Sequence, residues 1–197
     1  LFGGNQILIK NRLDYTEYLT ADKLNGYYNT SFLSLLFSDS YRFMRLLRRL
    51  EYIKGTKKGP IWKILEFVTM VRFLKLSKKL GYSIPPFTCG PGLCLPHYGN
   101  IVINPSATVG KNCKIHVGVN IGAALDESEA TPIIGDNCYI GPGAKIFGAV
   151  VIANGIKIGA NAVVNKSCKI EGATLLGVPA KAIPTANKYS SSKEILI

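Results

Sequence analysis

The chain has 197 residues, 47% of them hydrophobic and 10% aromatic, with 24 Lys and Arg against 12 Asp and Glu. That profile excludes a disordered or collagen-like chain and leaves room for a core that needs neither disulfides nor a structural metal. The net charge of +12 is uneven, since residues 1–90 carry 15 basic and 6 acidic residues while residues 91–197 carry 9 and 6. No run approaches 18 apolar residues, and the first thirty lack the pattern of a secretory signal, so the expected location is the cytoplasm.

In chain order, Asp14 to Leu24 reads as a short helix, with Asp14 as its cap and Glu17 three residues on in the manner of a capping box. Tyr41 to Tyr52 places Phe43, Leu46, Leu47 and Leu50 on one face and Arg42, Arg45, Arg48 and Arg49 mostly on the other. Pro60 suits the first turn of a third helix running to about Leu80, with Ile61, Ile64, Leu65, Val68, Val71 and Leu74 as an apolar stripe. Gly81 can end that helix, and Pro85 and Pro86 cannot continue it. The expected organisation is a basic α-helical domain at 1–84, a second domain at 85–184 and a tail at 185–197.

Residues 42–79 hold 12 Lys and Arg against Glu51 and Glu66. A solvated helical face is the plain reading, attachment to an anionic membrane surface the second and binding of an acidic polysaccharide the third. Nucleic acid is not expected, because no reader motif accompanies the charge.

From residue 103 the chain repeats. Every sixth residue is aliphatic: Ile103, Val109, Ile115 and Ile121, then, after seven extra residues, Ile134, Ile140, Ile146, Ile152, Ile158, Val164, Ile170 and Leu176. Four residues after each comes a small or apolar one, including Cys113, Leu125, Cys138, Cys168, Thr174 and Ala180. Gly follows the aliphatic position in six cases of twelve. This is the hexapeptide pattern of a left-handed parallel β-helix, in which aliphatic residues fill a triangular prism and Gly, Asn or Asp turn its corners. Twelve hexads make about four coils, preceded by about three helices. Such a prism has flat faces and unpaired edges, so a homotrimer or a dimer of trimers is expected.

The five cysteines, an odd count without a C-x-x-C pair, do not suggest a disulfide framework. Cys113, Cys138 and Cys168 fall in small inward slots and read as packing residues, while the role of Cys89 and Cys94 is open.

The repeat breaks in three places. Eight residues separate Leu95 from Ile103 where six would serve, so a loop carrying His97 bulges from the prism. His116 occupies a corner that usually takes a small residue. The insertion from Ala123 to Thr131 carries Asp126, Glu127 and Glu129. His97 and His116 are the only histidines, and their spacing of 19 residues, about one turn, places them on neighbouring coils. Both are candidate catalytic residues.

The segment from Gly92 through His97 to Ile103, the run Ile140-Gly-Pro-Gly-Ala-Lys-Ile-Phe-Gly148 and the ending Gly177-Val-Pro-Ala-Lys181 resemble the left-handed β-helix acyltransferases of the serine O-acetyltransferase group. The resemblance covers about residues 82–184 and is closer to members found in capsular and exopolysaccharide gene clusters. It implies transfer of acetyl from acetyl-CoA to a hydroxyl with His97 as general base, and needs no metal. His116 would orient His97 or bind the acceptor, and the Gly118 N–H is a candidate donor to the oxyanion. For the CoA groove the matching positions are Pro142, Ala160, Lys166 and Lys181.

The sequence also departs from that group. Pro96 stands in place of the Asp before the histidine, Tyr82 or Ser83 in place of an orienting carboxylate about fifteen residues upstream, and Thr131 in place of a histidine before Pro132. A zwitterionic amino acid needs counter-charges. The expected acceptor is therefore a sugar or capsular polysaccharide hydroxyl, held by Tyr98, Asn120, Asp126 and Glu127, with the serine O-acetyltransferase of cysteine biosynthesis as the alternative. A zinc enzyme of carbonic anhydrase type, which would want three histidines, and a non-catalytic scaffold are the more distant readings.

Overall fold

The computed structural model describes residues 9–26, 38–125 and 130–183. Three helices occupy the described N-terminal part: α1 (Arg12–Asn25), α2 (Asp39–Thr56) and α3 (Pro60–Leu80). The cap of α1 differs from the sequence reading. Asn11, not Asp14, is the N-cap, its side chain accepting the Asp14 N–H at 2.9 Å, while the Asp14 carboxylate accepts the Lys10 N–H. The cap thus lies one turn earlier than the Asp14–Glu17 spacing suggested, because Asn also caps well. Helix α3 begins at Pro60 and ends at Gly81, whose φ of 77° suits a residue without a Cβ.

After α3 the chain winds into a prism of three parallel sheets. One sheet stacks Tyr82–Ser83, Ile101–Ile103, Asn120–Gly122, Lys145–Phe147 and Val163–Val164. A second stacks Lys114–Ile115, Tyr139–Ile140, Lys157–Ile158 and Thr174–Leu176, closed by the antiparallel Lys181–Ile183. The third stacks Thr108–Val109, Ile133–Ile134 and Val151–Ile152. Isolated bridges from Cys89 to Val109, Cys94 to Lys114 and Ile152 to Cys168 complete the rungs, giving five coils rather than four. The extra coil, built around Ile84, Cys89 and Leu95, escapes the hexad count because its inward residues are spaced irregularly.

The core is the column the repeat foretold: Ile103, Val109, Ile115, Ile121, Ile134, Ile140, Ile146, Ile152, Ile158 and Val164 are all buried. The last coil corrects the register. Cys168 pairs with Ile152 and Leu175 with Ile158, so these two fill the inward slots, while Ile170 and Leu176 are exposed. Leu125 is also fully outside, since the insertion has already left the prism there. All five cysteines are buried and free.

The helices share this core. Phe43, Met44, Leu47, Leu50 and Phe73 join Tyr82, Ile84 and the first coil in one apolar cluster. Arg48, expected on the polar face, is fully buried. Its guanidinium donates to both Asp22 oxygens (2.8 and 3.2 Å), to Glu51 Oε2 (3.0 Å) and to the Cys89 and Gly90 carbonyls (2.8 and 2.6 Å). The carboxylates reach on: Glu51 accepts the Phe87 N–H, and Asp22 accepts those of Gly92 and Leu93. Burial works against the charge of Arg48, but Asp22 and Glu51 outweigh it and hold the guanidinium protonated. The network fastens the residues just before the His97 loop to α1 and α2.

On α3 the predicted apolar stripe is not core. Ile61, Ile64, Val68 and Leu74 are exposed together with Phe67, while Thr69, Phe73, Leu76, Ser77 and Leu80 face inward. Periodicity identifies a stripe but not what covers it.

Candidate active site

Two extra residues between Leu95 and Ile103 push His97 and Tyr98 out of the prism, and both side chains are exposed. The loop is held by its backbone. The Gly99 N–H donates to Leu80 O (2.8 Å) and the Ile101 N–H to Gly81 O (3.1 Å). The His97 carbonyl accepts from the Tyr82 hydroxyl at 3.0 Å. Tyr82 is buried, lies edge-on to Phe43 and is 3.0 Å from Ser40 Oγ of α2. With its single proton on the His97 carbonyl, it accepts from Ser40. Fifteen residues ahead of His97, Tyr82 therefore steadies the loop through its main chain, where the resemblance places a carboxylate that orients the base.

One coil on, His116 follows the strand Lys114–Ile115 and turns the same edge. Its ring centroid is 6.2 Å from that of His97 and 5.0 Å from that of Tyr139. Its Nε2 is buried and is the one buried side-chain N or O atom without a hydrogen bond among the described residues. Burial, then the neighbouring charges of His97 and Lys114, lower its pKa, so the imidazole is neutral at neutral pH. A neutral ring with an unused nitrogen beside a second imidazole can accept or relay a proton.

The edge continues past the histidines. Pro142 and Ala160 are exposed at the next two corners, where Gly143 N–H bonds Val117 O and Asn161 N–H bonds Pro142 O. A Cβ on Gly118 would come 3.2 Å from the Gly143 backbone, so the corners stack closely, and the φ of 79° at Gly118 suits a residue without a Cβ. His97, His116, Pro142 and Ala160 thus form one line along the prism. Lys181 pairs with Leu176 at its far end. Lys166 instead follows Val164 toward Cys168, on the next edge. Asn120 is exposed on the strand after the His116 corner, and Asp126 and Glu127 lie outside the described residues.

The Gly118 N–H is already committed to Asn100 O at 2.6 Å, so it is not a free oxyanion donor. Lys145 was not anticipated: its ammonium bonds Gly118 O at 2.6 Å and brings positive charge to the histidine edge. No six-residue pattern flags it, because outward positions of the repeat carry no constraint. Tyr139 escaped for the same reason.

Residues 131–172 match the family described as bacterial transferase hexapeptide (six repeats). A serine acetyltransferase of Buchnera aphidicola subsp. Schizaphis graminum is 30% identical over 162 residues, covering 75% of this chain and 62% of that protein. One from Staphylococcus aureus strain Mu50 is 36% identical over 96 residues, 48% of this chain and 45% of that protein. The crystal structure of Neisseria gonorrhoeae serine acetyltransferase in complex with serine superposes with a TM-score of 0.67 at 27% identity, covering 87% of this chain and 70% of the other. The chain spans about half to three-fifths of the length of these curated relatives.

These findings overturn the expected sugar or capsular acceptor, and the placement nearest to capsular members, because the relatives are named serine acetyltransferases. The charge argument failed because it counted two motif positions, Pro96 and Thr131, whereas a folded site gathers charge from any strand that reaches it, as Lys145 does. In sequence the chain is similar to serine acetyltransferases, and it shares with their solved structures a left-handed hexapeptide-repeat β-helix preceded by helices.

Proposed function

We propose that the protein is an acetyl-CoA-dependent serine O-acetyltransferase, with His97 as general base. The observation that carries the reading is the pair of imidazoles on one prism edge, 6.2 Å apart, on a fold shared with serine acetyltransferases. His97 removes the serine hydroxyl proton as the oxygen attacks the thioester carbonyl carbon, and the imidazolium returns that proton to the thiolate as the C–S bond breaks. No acyl-enzyme is needed. Lys145 supplies a counter-charge for the serine carboxylate, Tyr98 and Asn120 line the acceptor side, and His116 supports His97. The line of Pro142 and Ala160, with Lys181 at its end, is the track for the pantetheine arm and phosphates; Lys166 would reach it from an adjoining copy.

Trimerisation fits the outward apolar residues Ile133, Tyr139, Phe147 and Val178, which a neighbouring prism would cover. Light scattering tests it, and a fully active monomer would overturn it. No described helix is long and apolar enough to cross a membrane. The basic helices keep two readings, solvated surface and attachment to an anionic membrane, which co-sedimentation with vesicles separates.

The deciding assay follows thiol release and product mass with acetyl-CoA and L-serine. O-acetylserine should form, and His97→Ala should lose roughly 10²-fold or more in kcat. Absence of O-acetylserine, or an unchanged kcat in the variant, would refute the assignment.

A further inference from the structure

Helices α2 and α3 face each other across an open cleft of about 520 Å³. One wall carries Arg42, Arg45 and Arg49, the other Arg72, Lys75 and Lys79. Both sets follow the i, i+3, i+7 spacing that lines side chains along one helix face, over about 10 Å of axis. Six cations therefore converge on one space, and the single carboxylate lining it is Asp39. Asp39 is already engaged with Lys79 at 2.6 Å and Arg42 at 3.0 Å. Arg45, Arg49, Arg72 and Lys75 have no carboxylate partner among the described residues.

The contrast with Arg48, on the same helix, is informative. Arg48 spends its donors on two carboxylates and two carbonyls, whereas the cleft arginines face other cations across the gap. Like charges held opposite each other repel, and an anion between the walls removes that repulsion while accepting charge-assisted, bidentate hydrogen bonds from the guanidinium groups. Two walls of three cations suit a ligand with more than one phosphate group rather than a single carboxylate.

We propose that this cleft is a binding site for a phosphorylated anion bearing two or more phosphate charges, either a soluble phosphorylated molecule or a phospholipid headgroup. None of its lining residues belongs to the histidine edge, and the inference does not depend on the acetyl-transfer reading.

Calorimetry of the full chain with sodium pyrophosphate at about 0.1 M salt, where weak surface attraction is screened, should show one site per chain with micromolar affinity. Arg49→Gln/Arg72→Gln, one charge from each wall, should weaken binding tenfold or more. Lys63→Gln, a loss of one charge on α3 away from the cleft and so the matched control for Lys75→Gln, should leave it unchanged. All replaced side chains are exposed, and circular dichroism verifies the fold; Lys75→Gln serves as a milder second variant. Cardiolipin vesicles, whose headgroup carries two phosphates, separate the sources. Co-sedimentation that pyrophosphate displaces supports a headgroup, whereas pyrophosphate binding without vesicle binding supports a soluble ligand. Binding of neither probe, or equal losses in Lys63→Gln and the cleft variants, would overturn the proposal.

Discussion

The β-helix and its joint with the helices differ in what fixes them. Each coil of the prism rests on the same apolar column and the same parallel ladder, so no rung is unique and sequence can drift at outward positions. The helices pack on the first coil through apolar side chains as well, but are also fastened to it by one buried ionic cluster, Arg48 with Asp22 and Glu51, whose hydrogen bonds fix Phe87, Cys89, Gly90, Gly92 and Leu93. Repetition gives the prism tolerance. The cluster gives the joint a single geometry, and the His97 loop leaves the chain directly after it.

The sharpest way to break that contrast is to remove the cation. Arg48→Met leaves two buried carboxylates without a counter-charge and should cost about 3–5 kcal/mol, read from urea denaturation. A loss below about 1 kcal/mol would mean that the cluster is not the fastening described here. Within the prism, Ile121→Ala and Ile140→Ala, on two different sheets, should each cost about 2–5 kcal/mol, with similar values because each leaves a comparable cavity. Widely different losses at these two positions would show that the rungs are not equivalent.

Tyr82→Phe is a finer probe, since it keeps the buried ring and removes only the hydroxyl, with its bonds to the His97 carbonyl and to Ser40. It should cost about 1 kcal/mol of stability and lower kcat with little change in the KM for acetyl-CoA. A change in KM alone would assign Tyr82 to cofactor binding instead of loop positioning. The smallest effect concerns pH. The folded-state pKa of His116 lies below its unfolded value, so its contribution to stability is complete above the unfolded value of about 6.5 and is lost as pH falls through the lowered folded one. His116→Gln should flatten that acid-side loss in a series of melting curves, and an unaltered slope would show that His116 does not report its buried setting.

Much of the β-helix was legible because a column of aliphatic residues at every sixth position has few other physical explanations. The failures are local. Cys168 replaces the aliphatic residue of its rung and Ile170 turns outward, since a four-residue side after Val164 shifts the register, and the hexad pattern alone does not reveal such a shift. The neighbouring histidines were legible from spacing, as one turn of a prism is a fixed count of residues. Tyr82, Tyr139 and Lys145 were not, because their roles depend on which strand lies above which.

By itself the sequence determined the repeat, the inward column, the boundaries of α3 and the bulge that carries His97, all of which follow from local periodicity and from the backbone limits of Gly and Pro. Only the tertiary structure decided that Arg48 is buried while Arg45 and Arg49 face solvent, and that the apolar stripe of α3 is exposed. A helix face becomes interior or surface according to what packs against it. Arg48 is drawn inside by carboxylates and carbonyls contributed by α1, by its own helix and by the first coil, groups that are scattered along the chain and meet only in the fold.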